Sequence, residues 1–154
     1  MTMSKKIIAV IGGRSCTDAQ YQIAREVGRH IAENNAVLVC GGRTGIMEAA
    51  CRGAAEAGGI TVGILPGDDS RDANDWVTVP IATGIGLARN AIIIRSASAA
   101  IAIGGSYGTL SEIAYCKQFG VPVYGIQSWD IEGIPSIESP EEAVRLAFDT
   151  AKSD

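Results

Sequence analysis

The chain has 154 residues, of which 47% are hydrophobic, 19% charged and 5% aromatic, and its formal net charge at pH 7 is −4. That length and balance predict one domain across residues 1–154. An acidic chain with no cluster of Lys and Arg lacks the footprint that nucleic acid or an anionic membrane rewards, and no apolar stretch is long enough to span a bilayer, so small molecules are the expected partners.

In chain order, the opening "MTMSKKIIAVIGG" carries two lysines and an apolar run that ends in glycines, which reads as a first strand and not as a signal peptide. The segment "DAQYQIAREVGRHIAENN" follows with Ile23, Val27 and Ile31 every four residues, a helical stripe on which His30 is expected to be solvated. "AVLVCGG" is a second strand, and Ile46, Met47, Ala50 and Ala54 mark the next helix. On that helix Glu48, Arg52 and Glu56 stand four apart, the spacing of a solvated ion-pair ladder. "ITVGILPG" is the third strand, and "GDDSRDANDW" is a polar loop read as a solvated turn. "WVTVPIATG" reads either as a further strand or as the approach to the helix "IGLARNAIIIRSAS". "SAAIAIGG" and "VPVYGIQ" are two more strands with a helix between them, and "SPEEAVRLAFDTAKS" closes the chain as a serine-capped helix with proline in its first turn.

The strands do not alternate apolar with polar residues, as suits strands buried on both faces, and they alternate with helices along the chain. The predicted fold class is therefore α/β: a three-layer, Rossmann-like parallel sheet with helices on both faces. Cys16, Cys40, Cys51 and Cys116 form no C-x-x-C pair or zinc-type spacing, which predicts buried, reduced thiols in a cytoplasmic protein. Cys16 is the exception to watch, because it lies in a loop near Arg14 where a thiolate could be stabilised.

Glycines end the first four strands: Gly12 and Gly13, Gly41 and Gly42, Gly67, and Gly104 and Gly105. In an open parallel sheet these strand ends share one edge, where ligands bind. Two junctions repeat a pattern, "GGRTG" (Gly41, Gly42, Arg43, Thr44, Gly45) and "GGSYG" (Gly104, Gly105, Ser106, Tyr107, Gly108), each opening a helix. Free amides at a helix start, reached across a glycine turn, favour an anion such as phosphate, and tight strand-to-helix packing is the alternative use of the same glycines. Two residues stand out beside them. Thr109-x-x-Glu112 has the spacing of a capping box, so Glu112 either holds a helix end or faces a ligand over the glycines. Arg89 shares a helical face with Ile85, Ile92 and Ile93, where a guanidinium wants a partner unless its head reaches water.

Through "GGRTGIMEAACRGAAEAGG", "LARN" and "GGSYGTLSE" the chain resembles the lysine-decarboxylase-like Rossmann superfamily over roughly Ile7 to Ile126. That superfamily includes the LONELY GUY phosphoribohydrolases, which release a free base from cytokinin nucleoside monophosphates, and the molybdenum cofactor carrier proteins. The resemblance places Arg89 and Glu112 on the catalytic arginine and glutamate of the hydrolases' "E-R-K" and "P-G-G-x-G-T-x-x-E" motifs. It also places Asn90 where the hydrolases have lysine, Gly104 where they have proline and Ser106 on their second glycine, which removes one cation from the site. "GGRTGIMEAACRGAAEAGGITVGILPGDD" and "IATGIGLARN" are closer to the carrier branch.

The implied function is binding of a phosphorylated heterocycle, a nucleotide or molybdopterin-type cofactor, by the two glycine segments with Asn90 and Thr109. The alternatives are hydrolysis of a nucleoside 5′-monophosphate, with Arg89 holding substrate and Glu112 orienting water or stabilising positive charge, and a sensor or assembly subunit whose nucleotide changes partner choice. Tyr107, Tyr115, Trp76 and Trp129 are the candidates to stack on a ring. A homodimer, or a homo-oligomer built from one, is expected through the apolar helix carrying Arg89.

Overall fold

The computed structural model describes residues 4–152. Its elements are β1 (Ile7–Gly12), α1 (Asp18–Glu33), β2 (Val37–Cys40), α2 (Ile46–Glu56), β3 (Thr61–Leu65), β4 (Val79–Ala82), α3 (Arg89–Ser96), β5 (Ala99–Ile103), α4 (Tyr107–Phe119), β6 (Val123–Ile126) and α5 (Pro140–Thr150). The six strands form one sheet in the order β4-β3-β2-β1-β5-β6, and every pairing is parallel. The α/β, three-layer reading of the sequence is thus the observed fold. "WVTVPIATG" supplies the fourth strand, whose four residues are all exposed because β4 is an edge with no helix over it.

Side-chain alternation along the strands divides the core in two. Ile8, Val10, Leu38, Ile101 and Ile103 point to the face covered by α1, α2 and α5, through Val27, Ile31, Ala50 and Val144. Ala9, Ile11, Val39, Ala100 and Ala102 point to the other face, under Ile93 and Ile94 of α3 and Ile113 and Cys116 of α4. On the first face α1 and α2 are in close contact. A Cβ on Gly28 would strike the Ala50 carbonyl, and one on Gly53 would strike that of Arg25, so these two glycines serve packing alone.

One helix start matches the sequence reading, and three differ from it or add to it. α5 begins as expected, with Pro140 in its first turn and the Ser139 hydroxyl accepting from the Glu142 amide at 3.0 Å. A capping box is present at α1 instead, where Thr17 and Gln20 bond each other's backbone amides at 3.1 and 3.0 Å. α4 begins at Tyr107, so Thr109 and Glu112 lie inside the helix and the expected box between them does not form. The segment read as one helix from Ile85 splits into a 3₁₀ turn at Gly86–Ala88 followed by α3. No helix among the described residues is long and apolar enough to cross a membrane.

Candidate functional site

The chain builds β1 to β4 outward in one direction, then returns to add β5 on the other side of β1. The loops leaving the carboxyl ends of β1 and β5 therefore diverge to opposite faces, which opens a crevice between them. A cleft of about 490 Å³ lies there. One wall is the turn after β1, Gly12, Gly13, Arg14 and Ser15, and the other is the start of α4, Gly105, Ser106, Gly108, Thr109 and Glu112. Gly41, Met47, Leu87, Arg89 and Asn90 complete it, with Val10 and Ile11 beneath.

The two glycine motifs do different jobs. The Ser106 hydroxyl meets the Thr109 hydroxyl at 3.4 Å and caps no backbone amide, which leaves first-turn amides of α4 available at the cleft wall. The backbone of this wall is braced from behind: the Trp129 indole N–H donates to the Ser106 carbonyl at 3.2 Å, and a Cβ on Gly105 would stand 2.6 Å from that nitrogen. Tyr107 is 83% exposed and points away from the cleft toward Trp129, with ring centroids 6.1 Å apart. Gly104 sits below the turn at φ +61°, against Gln20.

At "GGRTG", by contrast, only Gly41 reaches the cleft. Gly42, at φ +75°, packs on Leu65 and Gly63, and Gly45, at φ +69°, packs on the backbone of Gly13 and Arg14. The first amide of α2, Ile46 N–H, donates to the Gly13 carbonyl at 3.1 Å, and the Thr44 hydroxyl donates to the Arg14 carbonyl at 3.0 Å. The first amide of this helix start is therefore taken by the protein's own loop. The Arg43 guanidinium turns to Asp72, 4.0 Å away. Gly42, Arg43, Thr44 and Gly45 thus stand behind the cleft wall.

Arg89 is 5% exposed, and its expected partner is backbone. Its Nε donates to the Ile64 carbonyl at 2.9 Å, one terminal nitrogen reaches the Gly41 carbonyl at 3.5 Å, and the other donates to the Asn90 side-chain oxygen. Asn90 passes the chain on, donating to the Ser111 hydroxyl at 3.1 Å, which donates to the Gly108 carbonyl at 2.7 Å. Burial lowers the Arg89 pKa, and the opposing influence of Glu112 favours the cation.

Glu112 is 7% exposed and has no hydrogen bond or ion pair among the described residues. Burial pushes its carboxyl up to about 8, with Arg89 pulling down and Cys40 pushing up. At neutral pH it is therefore mostly the neutral acid, able to donate as well as accept.

Beneath Gly41, the Cys40 and Cys51 sulfurs lie 3.4 Å apart as free thiols, and a further bond to Cys40 comes from the Gly42 amide at 3.3 Å. Burial raises the Cys16 thiol, with Asp18 and Glu48 adding to the effect, so the thiolate considered near Arg14 is not favoured. His30 packs beside Glu33 on α1, far from the cleft. Arg52 and Glu56 pair at 3.3 Å as the ladder spacing predicts. The sequence reading missed the turn Gly12–Ser15 as a wall, although "IGGRS" has the same strand-end glycines as the two motifs it favoured.

The family model of the SLOG cluster4 family matches residues 5–152. The chain is 43% identical over 145 residues to an uncharacterised protein of Archaeoglobus fulgidus, covering 94% of this chain and 95% of that one. Among solved structures it is similar to the molybdenum cofactor binding protein of the phototrophic bacterium Rippkaea orientalis, with 35% identity, a TM-score of 0.90 and coverage of 96% of this chain and 98% of that one. It is similar also to the molybdenum cofactor carrier protein of Chlamydomonas reinhardtii, at 31% identity, a TM-score of 0.87 and the same coverage.

Proposed function

The chain belongs to the SLOG cluster4 family, and from that membership we propose that it is a one-domain, carrier-like protein that binds a phosphorylated heterocycle, a molybdopterin-type cofactor or a nucleotide, in the cleft between β1 and β5. The observation that carries this reading is the wall at Gly105 to Thr109, where a glycine turn and an uncapped helix start leave backbone donors at a cleft of about 490 Å³. Gly105, Ser106 and Gly108 hold the phosphate, and the Asn90 amide and the Glu112 carboxyl meet the donor and acceptor edge of the ring. A molybdopterin-type cofactor fits this set through its organic part, since every group named here binds phosphate or ring atoms. When bound, it brings molybdenum redox chemistry of its own, and the chain's residues hold and orient it.

We read the site as one for binding and not for N-glycosidic hydrolysis, with the buried Glu112, its carboxyl raised by desolvation, meeting the ligand as donor or acceptor. The relatives named as cofactor binding and carrier proteins support the same choice. The setting is the cytoplasm, in keeping with the adjacent unbridged thiols Cys40 and Cys51. The working unit is a homodimer formed over the apolar surface of α3 and the turn before it. The partner is the small ligand, not nucleic acid or membrane, in keeping with a net charge of −4.

Native mass spectrometry of gently purified protein tests the reading, with a retained mass of a phosphorylated pterin or nucleotide expected. Incubation with nucleoside 5′-monophosphates should leave them intact. Release of free base would replace the carrier reading with the hydrolase one.

A further inference from the structure

Two guanidiniums face the cleft, and their situations are opposite. Arg89 is buried and tied to the Ile64 and Gly41 carbonyls and to Asn90. Arg14 is exposed and has no hydrogen bond or ion pair among the described residues. Its backbone, however, is held firmly. The Thr44 hydroxyl bonds the Arg14 carbonyl at 3.0 Å, the Ile46 amide bonds the Gly13 carbonyl at 3.1 Å, and Gly45 lies so close that a Cβ there would sit 2.6 Å from the Arg14 carbonyl oxygen. An exposed cation whose backbone is fixed and whose head is unpartnered among the described residues, in a cleft whose one lining acid among those residues is buried, is placed for an anion that arrives from solution.

We propose that Arg14 is the residue that selects phosphorylated over unphosphorylated ligands, and that the Gly42–Ile46 segment is the positioning device that aims it. This rests on the reading of the cleft as a binding site for a phosphorylated heterocycle and names the side chain that reads the phosphate. It gives a use to "GGRTG", whose first helical amide is already bonded to the Gly13 carbonyl.

The test is calorimetric titration of wild type, Arg14→Gln, Arg14→Lys, Thr44→Val and the Arg14→Gln/Thr44→Val double variant with 5′-AMP, adenosine and inorganic pyrophosphate. Both residues are exposed, so the variants should fold as wild type. Arg14→Gln should weaken AMP and pyrophosphate by about tenfold or more while adenosine changes by less than about twofold, and Arg14→Lys should recover part of the loss. Thr44→Val should weaken AMP by a few-fold in the wild-type background and have no further effect in the Arg14→Gln background, the signature of a residue acting through another. If wild type prefers AMP to adenosine and Arg14→Gln does not reduce that preference, or reduces both ligands equally, the Arg14 assignment is overturned while the binding reading stands. If wild type binds neither AMP nor pyrophosphate, the assignment and the phosphorylated-ligand reading fall together.

Discussion

The sequence singles out Glu112 by its capping-box spacing and Arg89 by its apolar helical face, and their environments assign them different work. Glu112 keeps its proton to about pH 8 in the fold, whereas an unfolded chain releases it near the ordinary carboxylate value. Between those values the folded state holds a proton that the unfolded state has lost, so stability falls as pH rises through this window and levels off above about 8. Glu112→Gln removes the titration. Its melting temperature should match wild type near pH 5 and exceed it near pH 8, which thermal unfolding at several pH values will read; parallel wild-type and variant curves would show a carboxylate that ionises normally. Arg89→Met should instead destabilise at every pH, because it orphans the buried Ile64 carbonyl, at a cost of about 1–3 kcal/mol and hence a drop of several degrees in melting temperature. Loss of ligand binding in that variant would accordingly reflect the framework around Gly41 and Asn90 as much as any direct contact. The sequence could mark both residues but not tell cap from cleft: that distinction depended on whether α4 starts at Tyr107 or three residues later, at Leu110.

At the scale of elements, the strands were legible because runs such as "IIAVIG" and "AAIAI" are apolar throughout and end in glycine. The helix between Ile85 and Ser98 was less so, since Gly86 at φ +66° turns the chain before α3 can begin. The two glycine motifs were equally visible and proved unlike, because what occupies a helix start is a matter of tertiary neighbours: Gly13 takes the first amide of α2, while α4 opens to the cleft. The open turn is the one to perturb. Gly105→Val places a side chain where the Trp129 indole sits, so the turn and its brace must separate. With Gly105 itself exposed, the fold should survive, ligand affinity should fall by about tenfold or more, and tryptophan emission should shift. Unchanged affinity in this variant would move the phosphate away from this wall.

For the whole molecule, the consequential fact is the strand order, and no local pattern encodes it. Glycines at four strand ends predict a rim, but only the reversal at β1 selects Gly12–Ser15 and Gly105–Thr109 from among them. Ile85, Leu87 and Ile92, 50, 73 and 39% exposed, form the apolar surface on which the proposed homodimer depends. Ile92→Glu should convert a dimeric sedimentation mass at micromolar concentration to that of the single chain, with little change in secondary structure; a wild-type protein that already sediments as a monomer would remove the dimer from the proposal. The same strand order also sets what the site needs before it exists. β1 precedes the other five strands of the sheet yet ends at its centre, with one side waiting for Ala99–Ile103. Until β5 and α4 have followed in the chain, β1 has a bare edge and the cleft only one wall, so the proposed binding site cannot form from the elements before them alone.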